Sequence, residues 1–219
     1  MKCKILMTEF VTHDVKSFIV EKPAGYNFKP GQATEVNIDE DKWRDEKRPF
    51  TFTSKNEDKV LQFIVKKYPD HDGVTDKLHE LKCGDSIEIG DAWGAIQYKG
   101  KGIFIAGGAG VTPFIVILRD LQERGELKGN KLLFANKCEK DIICEKEFRN
   151  MLGSNFVTIL SQESGSKHHN GRIDKEFLKQ TISDFNFNFY VCGPPEFIKS
   201  INKYLEELGA KPDAIVIEE

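Results

Sequence analysis

Several things are scarce or missing in this chain, and each absence narrows its function. No two of its five cysteines, Cys3, Cys83, Cys138, Cys144 and Cys192, have CxxC spacing. That excludes the usual thiolate cradle of a zinc ribbon or an iron–sulfur cluster. Their odd number and wide scatter argue against a disulfide framework and suit a reducing compartment. No apolar run approaches the length of a membrane span. The N-terminus, Met-Lys-Cys-Lys-Ile-Leu-Met-Thr-Glu, lacks the apolar stretch of a signal peptide. A large excess of one charge is also missing: 32 Lys and Arg stand against 35 Asp and Glu, a formal net charge of -3. Nucleic-acid binding through bulk positive charge is therefore not expected. Neither a repeat nor a low-complexity segment is present. The expectation is a soluble cytoplasmic protein with no nucleic-acid partner, no bound metal and no membrane span.

What is present fits a folded chain. Its 219 residues are 39% hydrophobic and 31% charged, enough for one large domain or two small ones. Up to about residue 98 the texture is β-rich. Residues 4–10, 15–21, 33–38, 50–54, 60–66 and 86–89 are short runs of β-branched and aromatic residues separated by turn signals such as Lys29-Pro30-Gly31. One helix, over residues 75–81, interrupts them. Six short strands of this kind predict a six-stranded antiparallel β-barrel. Beyond residue 98 the period switches. Strands are predicted at 102–106, 131–136, 156–161, 188–192 and 214–217, alternating with helices at 113–124, 145–152, 174–182 and 195–208. That alternation predicts an α/β domain with a parallel sheet covered on both faces. The expected domains are residues 1–98 and 99–219.

Three motifs carry chemistry. The first predicted parallel strand runs into Gly107-Gly108-Ala109-Gly110-Val111-Thr112-Pro113 and then a helix. Glycines let a ligand approach the backbone, Pro113 suits a first helical turn, and free N–H groups favour a pyrophosphate. The ordinary dinucleotide fingerprint has a third glycine where Pro113 stands, so a ligand-free tight turn also fits. The second motif is Arg48-Pro49-Phe50-Thr51. It sets a phosphate-binding guanidinium, a stacking ring and a hydroxyl along one predicted strand; by itself it also fits a routine barrel strand. The third is Val191-Cys192-Gly193-Pro194-Pro195 after a later strand.

In this order and spacing the three motifs resemble the ferredoxin–NADP reductase family, including its cytochrome b5 reductase-like branch. The resemblance covers nearly the whole chain. It implies a Rossmann-like NAD(P)-binding domain after an FAD-binding barrel, with hydride passing from nicotinamide C4 to flavin N5. Electrons would then go to a separate acceptor: ferredoxin, flavodoxin, a cytochrome or a small molecule. By similarity, Arg48 and Pro49 lie at the FAD pyrophosphate, Phe50 packs on the isoalloxazine, and Thr51 bonds near N5. Phe50 replaces the commoner Tyr, which removes a phenol hydroxyl. Backbone groups of Ile64 and Lys66 and the ring of Tyr68 match the ribityl and adenylate contacts. Gly73-Val74-Thr75 matches a second phosphate site, which favours FAD over FMN. Thr75 also suits a helix N-cap. Gly108, Gly110, Thr112 and Pro113 match the nicotinamide-nucleotide turn, and Cys192, Gly193 and Pro194 the segment beside the nicotinamide ring. Thr51, Thr112 and Cys192 are thus the expected residues at the reacting atoms, Cys192 by positioning.

Gln162 stands where NADP-using members often carry Arg, and Glu163 would repel a 2'-phosphate, so the resemblance favours NADH over NADPH, with Lys137 and Arg172 the cations available for a 2'-phosphate. Two alternatives stay open: a flavin-binding electron-transfer or redox-sensing subunit without its own turnover, and an NADH-dependent reductase of free flavins. His168-His169-Asn170-Gly171 is expected to be a solvated loop. Trp93-Gly94 falls where the flavin edge would be lined. Glu218-Glu219 replaces the family's common terminal aromatic, leaving the flavin face open or covered by Ile217 or Glu218.

Overall fold

The computed structural model describes residues 1–68, 73–94, 96–165 and 167–217. Alternation builds the first half. In β1 (Lys2–Thr12) the buried Cys3 and Ile5 sit between exposed Lys2, Lys4 and Leu6, the period of two that turns one strand face inward. With β2 (Val15–Glu21), β3 (Ala33–Ile38), β4 (Arg48–Thr51), β5 (Val60–Lys66) and β6 (Ser86–Trp93) it makes an antiparallel sheet ordered β4-β3-β6-β1-β2-β5. The two edges meet just past β4, where the Thr53 N–H donates to the Gln62 carbonyl at 2.9 Å. Inside, Phe28 stacks on Phe52 with ring centroids 4.1 Å apart, and Phe63 lies 5.3 Å from Phe52. Helix α1 (Val74–Glu80) buries Val74 and Leu78 against this core.

Among the boundaries that differ from the sequence-based ones, those of β4 and β6 bear on the site. β4 spans Arg48–Thr51 rather than residues 50–54, so it ends before Phe52, which turns into the barrel core. β6 continues through Gly90-Asp91 to Trp93, because Ala33 and Thr34 still pair with Trp93 and Ala92 across a register shift. A bulge lets a strand pass a glycine that reads as a turn.

The second half contains β7 (Gly102–Gly107), α2 (Thr112–Glu123), β8 (Lys131–Asn136), α3 (Glu145–Leu152), β9 (Phe156–Leu160), β10 (His169–Asn170), α4 (Lys175–Thr181), β11 (Asn188–Cys192), α5 (Pro195–Glu207) and β12 (Ile215–Ile217). Its six strands are parallel, ordered β10-β9-β8-β7-β11-β12. Every residue of β7 is buried, as a strand covered on both faces requires. α2 and α3 pack on one face, α4 and α5 on the other. The chain starts centrally at β7, moves outward through β8 and β9, then returns to β11 on β7's other side. Such a switch opens a crevice at the carboxyl ends of the strands. The halves share a core, since barrel residues Val15 and Ile64 belong to the same buried cluster as Phe114 and Ile117 of α2. Among the described residues, no helix is long and apolar enough to cross a membrane.

Candidate functional site

The crevice beyond β7 and β11 faces the barrel, and the two form one cleft of about 1280 Å³. Pockets for ordinary small ligands measure about 300–1,000 Å³, so this one has room for an extended ligand or for two. From the barrel side come Pro49, Phe50 and Thr51 of β4, Ile64 and Lys66 of β5, Tyr68, and Thr75 from the first turn of α1. From the other side come Gly108, Gly110 and Thr112 of the turn into α2, and Cys192, Gly193 and Pro194 after β11. Thr51 and Cys192, 141 positions apart in sequence, therefore share one surface.

Four predicted residues do not line it. The Arg48 guanidinium donates to the Lys47 carbonyl at 2.7 Å and pairs with Glu46 at 3.3 Å. Gly73 is the N-cap of α1; Thr75 sits one position past the helix start, so its hydroxyl does not cap and its side chain turns into the cleft. Val74 is buried in the barrel core, and Pro113 is buried in the first turn of α2.

β5 is an edge strand, which matters for binding. Gln62 spends its N–H on the Ser54 hydroxyl at 3.0 Å and its carbonyl on Thr53. The two-residue period aims the backbone groups of Ile64 and Lys66 to that same edge. Lys66 also pairs with Asp14 at 2.7 Å. Burial pushes the Asp14 carboxyl up, but the bonds from Lys66 and Thr12 outweigh it and hold it below its ordinary value.

Glycines set the opposite wall. A Cβ on Gly110 would stand 2.5 Å from both the Cys192 carbonyl oxygen and the Gly193 nitrogen. A Cβ on Gly193 would stand 2.7 Å from the Phe197 ring. The turns after β7 and β11 therefore press backbone against backbone, which side chains would prevent. Gly108 has φ +54 with open space where a Cβ would point, a conformation glycine adopts without strain. The Thr112 hydroxyl donates to the Ala109 carbonyl at 3.1 Å, which fixes the oxygen and leaves it able to accept. A backbone cradle with hydroxyl, thiol and ring groups around it fits an extended, partly aromatic, phosphate-bearing ligand.

The far end of the cleft holds Asn136, Lys137, Ser161 and Arg172, together with the carboxylates of Asp141 and Glu196. Glu163 turns its carboxylate onto the Glu139 N–H at 2.7 Å. Trp93 and Gly94 line the barrel-side mouth, where Trp93 is 42% exposed and Tyr68 46%. Residues 218–219 lie outside the described residues. Sequence patterning missed Phe197 and Tyr204: both fall on the apolar stripe of α5, yet both line the cleft. The available signal was Gly193, whose missing side chain makes room for Phe197.

The solvated-loop expectation at 168–171 needs correction. His169 and Asn170 form β10, paired with Ile159 and Leu160 of β9. The His168 ring is buried, hydrogen-bonded to the Thr158 hydroxyl, with Nε2 3.5 Å from Glu139 and 3.9 Å from Glu145. Lys167 bridges the same two carboxylates at 3.1 and 3.3 Å. Those charges let an imidazole be buried where polarity alone predicts exposure.

Comparison with known proteins agrees with this geometry. Residues 2–98 match the oxidoreductase FAD-binding domain family, and residues 104–203 the oxidoreductase NAD-binding domain family. The chain is 28% identical over 212 residues to NADH-cytochrome b5 reductase 2 of Mycosarcoma maydis, covering 87% of this chain and 60% of the relative. It is 25% identical over 233 residues to the reductase component of propane 2-monooxygenase of Rhodococcus jostii, covering 98% and 62%. The chain thus spans about three fifths of the length of these curated relatives. In fold it is similar to the flavohem-like FAD/NAD-binding domain of nitric oxide dioxygenase from Vibrio cholerae. There the TM-score is 0.88 at 21% identity, over 99% of this chain and 97% of that one.

Proposed function

The chain belongs to the ferredoxin reductase-like family, an FAD-binding domain followed by an NAD-binding domain, and on that premise we propose an FAD-dependent NAD(P)H oxidoreductase that serves a separate electron acceptor. Residues 1–98 are the flavin half and residues 99–219 the nucleotide half. One observation carries the reading: Thr51 of the barrel and Thr112 and Cys192 of the α/β half line a single cleft. Bound there, FAD would supply the hydride acceptor and the means to release electrons one at a time.

The chain's own groups have definable tasks. Phe50 offers a ring face for stacking. The edge backbone of Ile64 and Lys66 and the Tyr68 ring hold the flavin's polar tail, with the Thr75 hydroxyl near its phosphates. Arg48, next to the lining Pro49, is a surface group that swings from Glu46 to a pyrophosphate, since a bidentate guanidinium–phosphate contact outcompetes an exposed ion pair. Gly108, Gly110, Gly193 and Pro194 leave room for a nicotinamide nucleotide, and Pro113 starts the helix behind it. Cys192, 3% exposed, packs beside the incoming ring and excludes water. The hydroxyls of Thr51 and Thr112 hold or accept a proton near the flavin edge.

NADH is the favoured donor. Asp141 and Glu196 place carboxylates in the nucleotide half of the cleft, where a 2'-phosphate would meet like charge; Lys137 and Arg172 are the opposing cations. A separate redox protein is the favoured acceptor, since the relatives are named as a reductase of cytochrome b5 and as the reductase component of a monooxygenase. The exposed Tyr68 and Trp93 at the mouth support a second reading, reduction of free flavins, because a planar acceptor can reach that edge. Steady-state turnover decides between them. NADH oxidation stimulated by ferredoxin or cytochrome but not by riboflavin supports the first reading; saturable stimulation by riboflavin alone supports the second.

A further inference from the structure

The partly buried ion pair Arg119–Glu147, its side chains 25% and 34% exposed, lies outside the cleft. Arg119 projects from the middle of α2. Its Nε and one terminal nitrogen grip both Glu147 oxygens of α3, at 2.6 and 2.9 Å. Its other terminal nitrogen crosses to the barrel, donating to the Thr53 carbonyl at 2.7 Å and to Gln62 Oε1 at 2.9 Å. Burial disfavours this guanidinium's charge, but the Glu147 carboxylate overrides that and holds it above its ordinary value. All three arms of the fork are engaged, two within one half of the molecule and one on the other.

Position gives the contact its meaning. Arg119 follows Thr112 by seven residues on the same helix, two turns on and on the same face, about 10 Å along the axis. On the barrel side, Thr53 follows Thr51 by two residues. Gln62, which shares the contact, sits on β5 two residues before Ile64. The rigid ends of both cleft walls are thus tied through one guanidinium. Among the described residues, Lys55 also pairs across the seam with Glu123, which is 59% exposed, and His13 lies 3.7 Å from Asp141.

We propose that Arg119, oriented by Glu147, is a positioning residue that fixes the separation of Thr51 from Thr112, and hence the approach of the nicotinamide to the flavin. The second half of that statement rests on the function proposed above; the first half does not. Lysine cannot replace the fork, since an ammonium is a point donor and cannot hold a carboxylate in two places while reaching a carbonyl.

The test is Arg119→Lys, read in two ways. In FAD-free protein, amide hydrogen exchange is followed at residues 51–66 and 112–123, with α4 as the internal reference. Exchange should rise about tenfold at both seam segments and stay unchanged at α4. In FAD-loaded protein mixed anaerobically with saturating NADH, flavin bleaching should slow about 10- to 100-fold, because small misplacement of reacting atoms is costly. FAD and nucleotide affinities should stay within about threefold in this comparison. Lys55→Ala should change neither readout. Glu147→Gln is read in the same way and serves if Arg119→Lys does not fold. Unchanged seam exchange would overturn the clamp. Faster exchange with an unchanged bleaching rate would overturn its positioning role. If NADH and NADPH both fail to bleach the parent protein, the proposed function fails, while the exchange data still decide whether Arg119 holds the two halves.

Discussion

Gly110 touches the peptide that joins Cys192 to Gly193, so closely that a Cβ on it would overlap the Cys192 carbonyl at 2.5 Å. Two turns separated by some eighty residues thereby become one wall of the cleft. A methyl group at Gly110 has no free direction, and the wall must open to admit it. Gly110→Ala is expected to cost about 1–3 kcal/mol of stability, as overpacking does. It should weaken nucleotide binding at least tenfold while FAD is retained. Thermal unfolding and nucleotide titration of the FAD-loaded protein check both halves of this expectation.

Arg48 holds nothing in the barrel that folding needs, since its contacts are to the neighbouring Lys47 and Glu46. Arg48→Ala should therefore leave stability within about 0.5 kcal/mol and lower FAD affinity about tenfold or more, the loss of a charged hydrogen-bonding partner. Measured FAD affinity equal to the parent's would remove Arg48 from the pyrophosphate site.

Cys192 is buried at the end of β11 beside Gly110. Cys192→Ser keeps the side chain's shape at a slightly smaller volume and adds a stronger hydrogen-bonding group. It should retain FAD and slow flavin reduction by NADH about tenfold, a positioning effect. Equal single-turnover rates in mutant and parent would place Cys192 outside the reacting centre.

His79 gives a pH dependence with a definite sign. Its Nε2 meets the Val65 carbonyl at 2.9 Å, joining α1 to the strand that carries Ile64 and Lys66. Burial comes first among the causes that lower its pKa, and nearby Lys16 adds to it. The folded protein thus resists protonation that the unfolded chain accepts near 6.5. Stability is full above that value and falls as pH drops through the window between the unfolded and folded pKa values. Thermal melts should show a lower Tm at pH 5 than at pH 7.5, with part of that slope missing in His79→Phe. An identical slope in the variant would remove His79 as its source.

Much of the fold was legible because local pattern and tertiary burial coincide. β7 is apolar at nearly every position and is covered on both faces; α2 shows its period and stops at Gly125. The strand ends were less legible. Gly90-Asp91 has turn chemistry, and only its pairing with β3 keeps it in β6. The cleft was legible where a motif carries its own physics, as at Gly108 and Gly110. Phe197 and Tyr204 were hidden because an aromatic on an amphipathic helix has the same signature whether it faces a core or a ligand. His168 was hidden for the opposite reason: its carboxylate neighbours, Glu139 and Glu145, come from other segments. Arg119 carries no motif, and its partners at Thr53, Gln62 and Glu147 meet only in the folded chain.

The decisive measurement is anaerobic mixing of the FAD-loaded protein with NADH, followed through the flavin's visible absorbance. One equivalent of NADH is expected to bleach the flavin stoichiometrically, faster than NADPH at equal concentration. A protein that takes up no FAD, or whose bound FAD keeps its colour with both nucleotides, would contradict the proposed function.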